Sequence, residues 1–149
     1  MALNVADTPL WLAHHWPAQY DRCALVGRRH ICRRCLALYP VALVVVVLGL
    51  AGARWPERYD SWLIWLLVLP ATVEFCLENL DLIRHSPRRL VAVTVPLAIG
   101  SGVLFLRYLD RLGDPLVWTV VGVCLGLCIA AVVVRAVRPD PEPPSSDTA

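Results

Sequence analysis

Residues 36–53 read LALYPVALVVVVLGLAGA, an apolar stretch without a charged side chain. A helix over this stretch has no polar face, so it does not fit the surface of a soluble protein. At a rise of about 1.5 Å per residue, a helix of this length also approaches the roughly 30 Å thickness of the hydrocarbon core of a bilayer. The stretch therefore predicts a membrane-spanning helix.

Three further apolar stretches follow, separated by connectors that carry Arg and Asp. The four predicted spans are residues 36–53, 61–80, 90–106 and 115–134. Asp114 before Pro115 is typical of a helix start, because a short polar side chain caps the helix and proline suits its first position. We predict an all-α membrane protein with a four-helix transmembrane bundle over residues 36–134.

The composition agrees with this class of protein. Of the 149 residues, 58% are hydrophobic and 17% charged, and the mean hydropathy is +0.59, whereas soluble domains are typically about 45–50% apolar and about 25% charged. A net charge of +2 is too small to indicate a nucleic-acid partner. We expect a lipid bilayer as the environment and no nucleic acid.

The arginines predict the orientation in the membrane, because basic residues favour the cytoplasmic side. Ten of the 14 lie on the side of the two termini: Arg22, Arg28, Arg29, Arg33, Arg34, Arg84, Arg88, Arg89, Arg135 and Arg138. Four lie on the other side: Arg54, Arg58, Arg107 and Arg111. Both termini are therefore predicted to be cytoplasmic, with Trp55, Trp62 and Trp118 at the outer interface.

The two ends of the chain differ in character. Residues 1–20 lack the features of a secretory signal, so we expect this end to be retained. Residues 135–149 carry four prolines in their last eleven positions and predict a disordered cytoplasmic tail.

Small residues indicate close helix contacts in the third and fourth spans. Gly100 and Gly102 lie in the third span, and Gly122 and Gly126 share one face of the fourth. Such spacing allows helices to approach closely in lipid. The Gly122/Gly126 face is a predicted contact for a homo-oligomer; no protein partner is predicted.

Residues 1–35 form a predicted cytoplasmic segment rich in Cys and His. Cys32 and Cys35 form a C-x-x-C pair, and Cys23 lies nine residues upstream. Three thiolates and one imidazole complete a tetrahedral zinc site, and the reducing cytoplasm disfavours a disulfide. We predict zinc ligation by Cys23, Cys32, Cys35 and His15. The alternates for the histidine are His14 and His30; a thiol redox pair, or ordinary membrane-proximal cysteines, are the other interpretations.

A second group of polar residues lies at the cytoplasmic end of the second span. Glu74, Glu78, Asp81 and His85 share one face if the helix continues through all four. Carboxylates at membrane depth are costly and often functional, so the group is a candidate ion or proton path. The alternative is that Glu74 pairs with an arginine such as Arg88 or Arg89.

The cysteine segment resembles a family of small bacterial integral-membrane proteins, domain-of-unknown-function family 2085. Arg34, Cys35 and Tyr39 match its pattern at the start of the first span, and Glu74 corresponds to its later acidic residue. The resemblance covers residues 14–105; Cys23 replaces a serine of the family pattern. It implies a multi-pass protein of the bacterial cytoplasmic membrane with metal-type cysteines.

Two functions follow as expectations from these features. The first is an integral membrane protein with a cytoplasmic zinc site in a structural or interaction role. The second is a metal-ion or proton transporter, or a membrane enzyme, that uses the Glu74–His85 group. No phosphate loop, dinucleotide fingerprint or nucleophile elbow is present, so no catalytic residue is predicted.

Overall fold

The computed structural model of the protein describes residue 20 and residues 23–27 and 29–138. In these residues a short β-hairpin precedes four long helices. The elements are β1 (Cys23–Val26), β2 (Arg29–Cys32), α1 (Arg33–Leu50), a short 3₁₀-helix (Glu57–Tyr59), α2 (Asp60–Asn79), α3 (Pro87–Asp110) and α4 (Pro115–Val137).

The hairpin was not predicted from the sequence. β1 and β2 pair antiparallel, with Cys23 opposite Cys32 and Val26 opposite Arg29. Gly27 follows β1 with a φ of +64°, a left-handed conformation that glycine adopts without the steric cost of a side chain. The glycine therefore allows the tight reversal that places the two cysteines side by side.

The prediction of four long apolar helices is confirmed, since each helix is long and apolar enough to cross a membrane. Their ends follow from local sequence. α1 ends at Leu50, before Gly52 with its φ of +94°. The side chain of Asp114 caps α4 by accepting a hydrogen bond from the N–H of Leu116 at 2.8 Å, whereas the side chain of Ser86 makes no such bond to α3.

Helix α3 lies between α1 and α2, and α2 also packs against α4. The buried core forms where α2, α3 and α4 meet, around Ile64, Leu104 and Val120. A methyl group at Gly102 would lie only 2.8 Å from Cβ of Val45, so the glycine permits the close approach of α1 and α3. At Gly122 and Gly126 no described atom lies within 4 Å of such a group.

The outward faces of the helices are apolar. Leu43 in α1 is 64% exposed and Leu125 in α4 is 56% exposed. Of the apolar stretch in each helix, only 6% is buried within the protein in α1 and 17% in α4. Water does not favour so much exposed hydrocarbon, whereas lipid does; these surfaces are compatible with a multi-pass membrane protein.

The helices have two polar ends. The hairpin end holds the β-hairpin, residues 80–86 and the end of α4, where Arg138 donates to the carbonyl of Leu80 at 3.1 Å. The far end holds residues 51–59 and 111–114, where Arg54 pairs with Asp110.

Candidate functional site

Three of the predicted zinc ligands come together at the hairpin end. Cys23 and Cys32 face each other across the hairpin and are both buried. Cys35 lies in the first turn of α1, which follows β2 directly. No disulfide joins any of the six cysteines, all of which belong to the described part of the chain. The arrangement brings thiols from β1, β2 and α1 to one place.

The histidine ligand is not placed by the structure. His14 and His15 lie outside the described residues. His30 lies in β2, and its ring stacks on Tyr20 with centroids 4.1 Å apart. Within residues 20, 23–27 and 29–138, no group of three or more His, Cys, Asp or Glu side chains is arranged to hold a metal ion. Zinc binding therefore stays a prediction.

The two arginines between Cys32 and Cys35 tie the cysteine segment together and to the helices. Arg33 Nε donates to the carbonyl oxygen of Cys23 at 3.1 Å. Arg34 Nη2 donates to Glu74 Oε2 in α2 at 2.7 Å, and its guanidinium lies 5.7 Å from the ring centroid of Phe75. The C-x-x-C motif thus supplies thiols, and its two arginines connect the start of α1 to β1 and to α2.

Glu74 is the buried acid at the centre of this contact, with 4% of its side chain exposed. Its second oxygen accepts from Arg89 Nε of α3 at 3.4 Å. Both carboxylate oxygens therefore face a guanidinium. The pair with Arg89 agrees with the alternative interpretation of Glu74, in which it pairs with an arginine such as Arg88 or Arg89. Sequence reasoning missed Arg34, because only the fold brings residues 40 positions apart into contact.

The predicted face from Glu74 to His85 is interrupted. α2 ends at Asn79, and Asp81 has a φ of +58° that reverses the chain. Asp81 and His85 are therefore not on the helix face of Glu74. His85 Nδ1 nevertheless lies 3.0 Å from Glu78 Oε1. Glu78 and His85 are therefore in contact because the loop after α2 folds back, and not because they share a continuous helix.

A cavity of about 470 Å³ lies at this loop. Its walls carry five ionisable side chains: Glu78, Asp81, Arg84, His85 and Arg135. Arg135 Nη1 is 3.8 Å from Asp81 Oδ1, and both side chains are exposed. The cavity is thus a polar pocket beside the α2–α3 loop, separate from the paired Glu74.

The other three cysteines lie where α2 meets α4. Cys76 donates from Sγ to the carbonyl of Leu127 at 3.6 Å, next to Cys128 in α4. Cys124 packs against the buried core. These thiols act here as small packing residues with weak polar contacts.

The far end carries an ion-pair network that the sequence analysis did not identify. Arg107 of α3 binds Asp60 at the start of α2 and, at 2.7 Å, Asp114 before α4. Trp55 Nε1 also donates to Asp60. The sequence does offer a signal for this network. Arg107 directly follows the third predicted span, and Asp60 and Asp114 directly precede the second and the fourth.

Asp114 is the member of this network outside the helices. Burial raises the pKa of its carboxyl, but hydrogen bonds from Arg107 and from the backbone N–H of Leu116 outweigh it and hold the pKa below its ordinary value. Asp114 is therefore ionised at neutral pH and both caps α4 and pairs with α3.

In comparisons with known proteins, no family model, curated protein or solved structure matches this chain.

Proposed function

We propose that the protein is a multi-pass protein of the bacterial cytoplasmic membrane with a structural or interaction role. Its cytoplasmic N-terminal segment binds zinc through Cys23, Cys32, Cys35 and His15. The observation that supports this most is the pairing of Cys23 with Cys32 across the hairpin, with Cys35 in the first turn of the helix that follows.

The chemistry of zinc suits this set of ligands. Thiolates and imidazole are the usual ligands of a closed tetrahedral structural site. Cys23, Cys32 and Cys35 supply three positions, and the fourth comes from a histidine upstream. His15 precedes Cys23 by eight residues, a length of chain that reaches about 26 Å when extended. Cytoplasmic placement keeps the thiols reduced.

The contacts of Arg33 and Arg34 indicate what the metal would do. They connect the start of α1 to Cys23 of the hairpin and to Glu74 of α2. Zinc binding would order the segment, because the free energy of metal binding contributes to local folding. The ordered segment would then present one fixed surface at the cytoplasmic face, which suits a structural or interaction module.

Elemental analysis of the purified full-length protein tests this proposal. We expect about one zinc per chain, since a closed site of four ligands holds one ion. Cys32→Ser and Cys35→Ser should lose the metal, whereas the matched control Cys124→Ser should keep it. His15→Ala compared with His14→Ala identifies the histidine. Absence of zinc, or zinc content unchanged in Cys32→Ser, would overturn the proposal.

The cavity at the α2–α3 loop favours a second candidate function, the transport of a proton or metal ion. Glu78, Asp81 and His85 line it, and the imidazole of His85 lies 3.0 Å from the carboxylate of Glu78. Glu74, held by two arginines, would position α2 against α1 and α3.

Flux measurements in proteoliposomes test this alternative. Glu78→Gln and His85→Gln should abolish metal or proton flux, while Glu57→Gln, a carboxylate at the far end, should leave it unchanged. Absence of flux in the wild-type protein, or equal flux in the wild type and Glu78→Gln, would rule out transport by this route.

A further inference from the structure

Another cavity, of about 410 Å³, lies at the far end between α1, the loop after it and α3. Its apolar lining includes the exposed Leu48 and the buried Leu106, while charged side chains, among them the exposed Arg54 and Glu57, form its rim. A volume in the range of about 300–1,000 Å³ with apolar walls and a few polar groups is typical of small-ligand sites. An occupant must therefore be apolar at one end and polar at the other.

Arg54 is the rim group best placed to bind an anion. Its Nε donates to the carbonyl of Gly49 at 3.0 Å, which fixes the guanidinium at the rim. Nη1 and Nη2 each donate to Asp110, the latter at 3.5 Å. These contacts use three of the five N–H groups of the guanidinium. Because the pair with Asp110 is exposed and such pairs are weak, Arg54 can also bind a phosphate.

The other charged side chains at the rim indicate which polar group an occupant must carry. Arg107 is occupied by Asp60 and Asp114. Glu57, in the 3₁₀-helix, also lines the cavity and is exposed. With two arginines and three carboxylates around the cavity, a purely anionic head group would be repelled. A head group with both a phosphate and an ammonium complements Arg54 and Glu57.

We propose that this cavity binds one zwitterionic phospholipid. An acyl chain lies in the groove beside the contact between α1 and α3, the phosphate binds Arg54, and the ammonium faces Glu57. The walls belong to helices long and apolar enough to cross a membrane, so a lipid reaches the cavity directly from the bilayer. The indole of Trp55, also part of the lining, is a side chain typical of the membrane interface.

Native mass spectrometry of the full-length protein in detergent tests the site. Dioleoyl phosphatidylethanolamine should bind with a stoichiometry of one and about threefold more tightly than dioleoyl phosphatidylglycerol, the affinity ratio expected for one solvent-exposed ion pair. Leu48→Trp should weaken phosphatidylethanolamine binding at least about fivefold by filling the cavity. The matched control Leu125→Trp, on an exposed position of α4, should not.

A conservative substitution that changes only the charge of the rim tests the proposal independently, through the affinity ratio of the two lipids. Glu57→Gln should bring the affinity ratio of the two lipids close to one, whereas Asp81→Asn, which removes a carboxylate at the hairpin end, should leave the ratio unchanged. Equal binding of the two lipids by the wild type would overturn the proposal. So would equal effects of Leu48→Trp and Leu125→Trp, or a dimer that excludes lipid from the cavity.

Discussion

At the scale of single residues, Glu74 shows how this protein accommodates a charge inside an apolar helix. Its two guanidinium partners come from α1 and α3, so the ion pairs join three helices. Glu74→Gln should leave Arg34 and Arg89 without a carboxylate. We expect it to lower the free energy of unfolding by about 1–3 kcal/mol, less than for a fully buried pair because both arginines reach solvent. Unfolding in mixed micelles measures this.

The matched control for Glu74→Gln is Asp81→Asn. Asp81 lies 3.8 Å from Arg135 in an exposed pair, and asparagine tolerates its left-handed backbone conformation. The control should therefore change the free energy of unfolding by no more than about 0.5 kcal/mol. Equal effects of the two variants would contradict a stabilising role for the Glu74 ion pairs.

Asp114 predicts a pH dependence of stability. Its pKa in the folded protein lies below the value of about 3.9 in an unfolded chain, so ionised Asp114 stabilises the fold fully above that value. The stabilisation declines as the pH falls through the folded pKa. Asp114→Asn keeps a capping side chain but loses the charge. Its Tm should lie below that of the wild type at pH 7, and the difference should shrink below about pH 4.

Thermal unfolding in detergent between pH 7 and pH 3, followed by circular dichroism, measures this difference. Asp81→Asn serves as the reference for the loss of an exposed carboxylate. A Tm difference for Asp114→Asn that stays constant down to pH 3 would show that the charge of Asp114 does not contribute to stability.

The two ion-pair groups mark the limit of sequence reasoning at this scale. Glu74 stands out in the sequence because a carboxylate in an apolar stretch is costly, and Arg89 is near enough along the chain to be named as a partner. Arg34 and the pairing of Arg107 with Asp60 depend on how helices distant in sequence meet. That information lies in the tertiary packing.

At the scale of elements, Gly102 predicts the sensitivity of the α1–α3 contact. The methyl group of Gly102→Ala would lie 2.8 Å from Cβ of Val45 and 3.1 Å from the carbonyl oxygen of Ala42. Because the backbone must shift to relieve these contacts, we expect the free energy of unfolding to fall by about 1–3 kcal/mol. Unfolding in mixed micelles, with helicity as the readout, measures the loss.

Gly126→Ala is the control, since no described atom lies within 4 Å of its added methyl group. Within a helix, alanine is favoured over glycine by about 0.5–1 kcal/mol, so the monomer should be unchanged or slightly more stable. A fall equal to that of Gly102→Ala would contradict the assignment of the close contact to α1 and α3. Light scattering would report whether Gly126→Ala also weakens a homo-oligomer through the Gly122/Gly126 face.

The helices and the hairpin differ in how well the sequence predicts them. Long apolar stretches predict the helices because hydropathy averages over about 20 residues. The hairpin strands are only four residues long and are too short to show a clear alternation of polar and apolar residues. The predicted second span ends at residue 80, within one residue of the end of α2 at Asn79. The sequence leaves open whether the helix continues to His85, because the left-handed conformation of Asp81 that interrupts it is not required by the residue type alone.

At the scale of the whole molecule, the two ends carry different chemistry. The hairpin end gathers the cysteines, Glu74 and the polar cavity beside Glu78. The far end carries the Arg107 network and the cavity with apolar walls. If the arginine bias sets the orientation, the thiols lie in the reducing cytoplasm and the lipid cavity opens toward the outer leaflet.

Reporter fusions test this orientation in bacterial cells. A fluorescent protein fused after Arg138 should fluoresce, and alkaline phosphatase fused there should be inactive, because this position is predicted to be cytoplasmic. Fusions after Gly113, in the α3–α4 loop at the far end, should give the reverse pattern and serve as the matched control. The opposite result at both positions would place Cys23, Cys32 and Cys35 in an oxidising compartment. There a disulfide would compete with zinc for the thiols, so the orientation decides whether the proposed metal site can persist.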